Sequence, residues 1–133
     1  MRRTTMIVLL IGMVWACSTL KIKDPMKLFN EANQAYGQAI SWSEFGVAAT
    51  FLKDETDAEK TSQIEHLSNF KVTDYEPRTI SVVEEDIRVR QVVKISYFKK
   101  DTLVVKSVAD EQMWEYDPEK GTWLIVTGLP RLK

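Results

Sequence analysis

Apolar and polar residues follow two rhythms along the chain, and the change from one to the other falls near Phe70. Before it the spacing is helical. Leu28, Phe29, Ala32, Tyr36, Ala39 and Ile40 recur at three- and four-residue intervals and form one stripe of an amphipathic helix. Asp24 suits the N-cap of that helix. Pro25 suits its first turn, where a backbone N–H would find no partner in any case. Ser41-Trp42-Ser43-Glu44 has the spacing of a capping box, in which the serine and glutamate side chains each bind a free backbone N–H. It predicts a second helix with Trp42, Phe45, Ala48, Ala49 and Leu52 on one face. Thr56-Asp57-Ala58-Glu59 repeats the signal and predicts a third helix, carrying Ala58, Ile64 and Leu67 toward Phe70.

After Phe70 the period is two. Phe70 to Val83 is rich in strand formers, and Pro77 within it demands an edge position or a bulge, because proline has no N–H to give a ladder. Glu84-Glu85-Asp86 makes a turn. Ile87, Val89, Gln91, Val93, Ile95 and Tyr97 then alternate with Arg88, Arg90, Val92, Lys94, Ser96 and Phe98, the pattern of a strand with one face in the core. Lys99-Lys100-Asp101 turns the chain into a strand from Thr102 to Tyr116. Asp117-Pro118-Glu119-Lys120-Gly121 is a hairpin loop, with proline setting the turn and glycine supplying a positive φ. Thr122 to Leu129 is the last strand, stopped by Pro130. Helices first, then antiparallel strands with no return to helix, predict an α+β fold: amino-terminal helices packed on a curved four-stranded antiparallel sheet.

Over residues 25–130 this order and spacing resembles the nuclear transport factor two-like superfamily, also called cystatin-like. Three stretches carry the likeness: the helical run from Trp42 and Phe45 to Phe51-Leu52, the entry Phe70-Lys71-Val72-Thr73-Asp74-Tyr75, and Gln112-Met113-Trp114-Glu115-Tyr116 with its hairpin and Trp123-Leu124-Ile125. The resemblance implies a cone-like domain over 25–133, with helices in the mouth of a strongly bent sheet. It resembles in particular the small bacterial lipoproteins of that fold. Enzymes of the superfamily are dehydratases, isomerases and cyclases, which use an Asp or His base and Tyr or Asp donors in an apolar cavity.

The first residues are unlike the rest. Arg2 and Arg3 precede an apolar stretch from Met6 to Trp15, too short for a transmembrane helix of about 20 residues. Val14-Trp15-Ala16-Cys17 resembles the lipobox of bacterial lipoproteins. The resemblance implies a signal peptide over 1–16, cleavage after Ala16, and acyl chains on Cys17, which is the single cysteine of the chain. Residues 17–24 would be a lipidated tether spanning at most about 20 Å, so the domain would sit close to its membrane. By the same resemblance Ser18, in place of aspartate, points to the outer membrane, facing the periplasm.

Composition narrows the chemistry. The 133 residues are 44% hydrophobic and 28% charged, enough for one packed domain. A formal net charge of −1 gives no footprint for a nucleic-acid partner. One histidine and one cysteine cannot build the usual zinc sites, and no phosphate-binding glycine loop or serine nucleophile elbow occurs, so no metal or cofactor is expected. His66 has no nameable partner and reads as a boundary residue. Tyr36, Trp42, Tyr97, Asp110, Trp114 and Trp123 are the candidates for lining an interior ligand site, although tryptophans at such positions more often fill a core. Asp110 interrupts an apolar strand after Val108-Ala109. Buried, it would hold its proton more tightly and could act as a base; on an outward face it would be ordinary. Asp74, Tyr75 and Tyr116 are further polar positions on the strands.

No catalytic set emerges. The readings rank as a membrane-held, non-enzymatic interaction or accessory domain, then a binder of a small apolar ligand in the cone, then an isomerase- or dehydratase-like enzyme. The first expects an envelope protein partner or a homodimer through the sheet face bearing Val92, Lys94, Ser96 and Phe98. The last needs an inward Asp with a Tyr beside it.

Overall fold

The computed structural model describes residues 24–133; the lipobox, Cys17 and the tether before Asp24 lie outside the described residues. Helix α1 spans Pro25–Ser41, a short α2 spans Phe45–Ala48 and runs on into a 3-10 turn at Ala49–Phe51, and α3 spans Asp57–Leu67. Strands β1 (Phe70–Glu84), β2 (Arg88–Lys99), β3 (Val105–Asp117) and β4 (Thr122–Ile125) follow. They form one antiparallel sheet in the order β1-β2-β3-β4. The fold is the α+β arrangement of helices against a curved antiparallel sheet. Among the described residues no helix is long and apolar enough to cross a membrane.

Several local signals act as the residues dictate. Asp24 Oδ1 accepts the Met26 N–H at 3.0 Å and caps α1. Thr56 and Glu59 close a full capping box on α3: Glu59 N–H donates to Thr56 Oγ1 at 3.2 Å and Thr56 N–H to Glu59 Oε2 at 2.8 Å. β1 is an edge strand, and its register shifts at Pro77/Thr79, where the proline cannot donate, as well as at Val72/Asp74 and Val82/Glu84. Such bulges bend and twist a strand, which helps the sheet wrap its helices. At Gly121 φ is +63°, and Gly121 N–H closes the hairpin on the Asp117 carbonyl at 2.8 Å.

Four expectations are corrected. The Ser41–Glu44 capping box does not form. Ser41 Oγ instead donates to the Gly37 carbonyl at 2.7 Å, and Ser43 takes φ +56° with its hydroxyl accepting the Val72 N–H at 3.0 Å. This reversal shortens the second helix to four residues and leaves Trp42 68% exposed, off the core face. β3 starts at Val105, because residues 100–104 are used in a wider turn that includes Leu103 at φ +56°. β4 ends at Ile125, not Leu129, and Gly128 at φ +83° turns the remaining chain back across the molecule.

The core lies between α1 and the concave face of the sheet. Every second residue of β2 from Val89 to Tyr97 is buried, and α1 contributes Phe29, Tyr36, Ala39 and Ile40. The 3-10 turn is tied to β4 through Leu52, which bridges Ile125, and Lys53 N–H, which donates to the Ile125 carbonyl at 2.9 Å. The final residues close the open end: Leu129 and Leu132 are buried, and His66 Nε2 meets the Leu132 carbonyl at 2.9 Å.

Candidate functional site

The concave face carries a polar chain inside the apolar core. On β3 the alternation turns Asp110, Gln112 and Trp114 the same way, opposite Val93, Gln91 and Val89 of β2. Gln91 and Gln112 are both fully buried. Burying an amide is costly unless its hydrogen bonds are replaced, and here they are. Asn33 of α1 and Gln91 exchange amide hydrogen bonds at 2.9 and 3.1 Å. Gln112 Oε1 accepts from Gln91 Nε2 at 3.4 Å and from the Trp114 indole N–H at 3.1 Å. Gln112 Nε2 donates to Asp110 Oδ2 at 3.0 Å and to the Tyr75 hydroxyl at 3.1 Å. Gln112 thereby uses both donors and both acceptors.

Asp110 ends this chain. Burial raises its pKa above the ordinary carboxylate value, and the Gln112 hydrogen bond opposes that rise. Tyr75 is pushed up to about 12, chiefly by burial, against the lowering effect of the Gln112 bond, with the Asp110 charge adding to the rise. Tyr36 is raised by burial, then by Asp110 and Tyr75. Its hydroxyl is buried and has no hydrogen-bond partner among the described residues. Asp110 also borders an open hollow of about 620 Å³ that it shares with Val108, Thr127, Leu129 and Arg131. A carboxylate whose pKa burial raises, with the Arg131 side chain on the same hollow, could hydrogen-bond a small polar molecule there or take a proton from it.

The level beneath this cluster is filled. The rings of Tyr36 and Phe51 meet Trp114 edge to face at 5.5 and 6.2 Å, and Phe29 stands 5.7 Å from Trp114 and 5.2 Å from Trp123. Trp114 and Trp123 are thus joined through Phe29. Neither borders the hollow beside Asp110.

Of the residues singled out in the sequence, Tyr36, Asp110 and Trp114 come together. The others do not join them. Tyr97 exchanges hydrogen bonds with the Lys133 backbone at 3.3 Å and packs on Phe70 at 5.7 Å. Trp123 donates its indole N–H to the Pro25 carbonyl at 2.6 Å and borders a separate hollow of about 570 Å³ with Leu28 and Phe51. Trp42 borders a surface hollow near Ile64 and Lys100. Asp74 is exposed opposite Ser96, and Tyr116 lies 5.4 Å from Trp123. Asn33, Gln91 and Gln112 were not singled out. Their signal was a polar residue at an inward position of an otherwise apolar stripe or strand. Cys17 lies outside the described residues. Among the described residues no three His, Cys, Asp or Glu side chains converge as metal ligands.

No family model matches the chain, and no curated protein matches it. Solved structures do. A ketosteroid isomerase-like protein from Erwinia carotovora atroseptica superposes with TM-score 0.59 at 12% identity, covering 78% of this chain and 92% of that one. A candidate polyketide cyclase from Xanthomonas campestris pv. campestris gives 0.54 at 11%, covering 77% and 90%. A SEC-C-motif-containing protein from Rhodopseudomonas palustris gives 0.54 at 12%, covering 82% and 80%. At these identities the likeness concerns the fold and not the chemistry. The chain has the cone fold of the nuclear transport factor two-like proteins.

Proposed function

We propose that this chain is a lipid-anchored protein of the bacterial envelope whose cone domain works by contact with another protein, not by turning over a substrate inside itself. The observation that carries the contact reading is the filled interior: Phe29, Tyr36 and Phe51 pack edge to face on the buried Trp114 in the core between α1 and the sheet. The anchor rests on Val14-Trp15-Ala16-Cys17. Metabolic labelling with an alkyne fatty acid tests it. The wild type should take label and Cys17→Ala should not; an unlabelled wild type removes the anchor. Native mass spectrometry from mild detergent tests the contact reading, which expects no retained small molecule.

A second reading is favoured by the Tyr36 hydroxyl, buried without a partner near Asp110 and Tyr75. A small polar molecule entering from the Arg131 hollow would satisfy it, with Asp110 as proton acceptor. A retained mass that is lost in Asp110→Asn would favour this reading over the first.

A further inference from the structure

One edge of the sheet is β1, and every residue from Glu76 to Glu84 is exposed. Ile80, Val82 and Val83 are 53%, 52% and 54% exposed. An apolar, unpaired edge is a template for another strand, and proteins usually cover or charge it. Among the described residues nothing but β2 pairs with this stretch. Between the bulges at Pro77/Thr79 and Val82/Glu84, Thr79–Val82 pairs regularly with β2, so that short run is straight enough to accept a further strand.

The run is complementary to itself. Turned antiparallel about Ser81, Ile80 meets Val82 inside the regular run, and at its bulged ends Thr79 meets Val83 and Arg78 meets Glu84, each twice by symmetry. Apolar residues oppose apolar or β-branched ones, and opposite charges close both ends. Within the chain Arg78 pairs with Glu76 at 3.2 Å, with both side chains about half exposed, a weak contact that a better partner can replace.

We propose that β1 pairs with β1 of a second copy, antiparallel about Ser81, making one continuous eight-stranded sheet across a two-fold axis. This is strand addition with an isologous interface. Pro77 and the two bulges confine the pairing to a few residues, so the dimer is weak and concentration-dependent. The partner sits on the edge and not on the face of Val92, Lys94, Ser96 and Phe98. The inference rests on the contact reading above and gives it a partner.

Native mass spectrometry of the full chain in mild detergent, over a concentration series, tests it with Arg78→Glu, Glu84→Arg and the double variant. All three changes fall on exposed positions and should leave far-ultraviolet circular dichroism unchanged. The wild type is expected to dimerise. Each single reversal opposes like charges twice and should raise the dissociation constant at least about tenfold; the double reversal should bring it back to within about threefold. A wild type that stays monomeric at about 100 µM overturns the inference. So does a dimer indifferent to both single reversals, which would leave the contact reading standing on another surface. A retained small molecule in the same spectra would count against the contact reading alone.

Discussion

Tyr75 packs against the backbone of α1 at Gly37 so closely that a Cβ at position 37 would lie 2.9 Å from Tyr75 Cε1. Gly37 is buried within the helix, where glycine costs about 0.5–1 kcal/mol relative to alanine. The helix accepts that weakness and gains the approach that lets the Tyr75 hydroxyl reach Gln112. Gly37→Ala should therefore destabilise by about 1–3 kcal/mol in chemical denaturation, despite the better helix propensity. Adding Tyr75→Ala should remove most of the clash, so the two changes will not be additive. A Gly37→Ala protein more stable than wild type would mean that Gln112 does not hold the ring in place.

Asp110 should make stability depend on pH in the sense opposite to a salt-bridged carboxylate. Its pKa is raised by burial, so the folded state favours the protonated form. That advantage is full below the ordinary Asp pKa of about 3.9 and is lost as pH rises through the higher folded value. Asp110→Asn should raise the melting temperature at pH 7, and the gain should shrink toward zero as pH falls below about 3.9. A gain independent of pH would show that Asp110 ionises without penalty.

Gln112→Leu should be severe for its size. It leaves the Trp114 indole N–H and the Gln91 amide without their shared acceptor, and Asp110 without its donor. Stranding buried polar groups costs about 1–3 kcal/mol each, so a loss of about 2–4 kcal/mol is expected, with the Trp114 indole N–H proton resonance shifted.

Two tryptophans should separate cleanly. Trp114 is fully buried while Trp42 is 68% exposed. Trp114→Ala should cost about 3–5 kcal/mol. Trp42→Ala should change stability by no more than about 0.5 kcal/mol. A large loss at Trp42 would mean that it is covered in solution.

Signals that act within a few residues were legible in the sequence: the Asp24 cap, the Thr56–Glu59 box, the bulge at Pro77 and the Asp117–Gly121 hairpin. The β2 alternation was equally clear, because one face of that strand is wholly buried. Trp42 misled because the Ser41–Glu44 spacing fits a capping box, whereas the hydroxyls found other partners on Gly37 and Val72. The polar chain was hidden for a different reason. Gln91 and Gln112 stand 21 residues apart and acquire meaning only once β2 and β3 are in register. Asn33 lies 58 residues from Gln91, and no local pattern can announce such a pair. Asp110 stands out in the sequence as a break in apolar character, but the place of Tyr75 beside it depends on the approach of α1.

The Trp123 indole N–H holds the Pro25 carbonyl across 98 residues of sequence. The start of α1 is thus fastened by the last strand, and Phe29 has no complete nest until Trp123 arrives. A chain emerging in order can form hairpins early, but it cannot seal its core until nearly all of it is present. Closures between the two ends of the chain raise the mean sequence separation of its contacts, which slows folding.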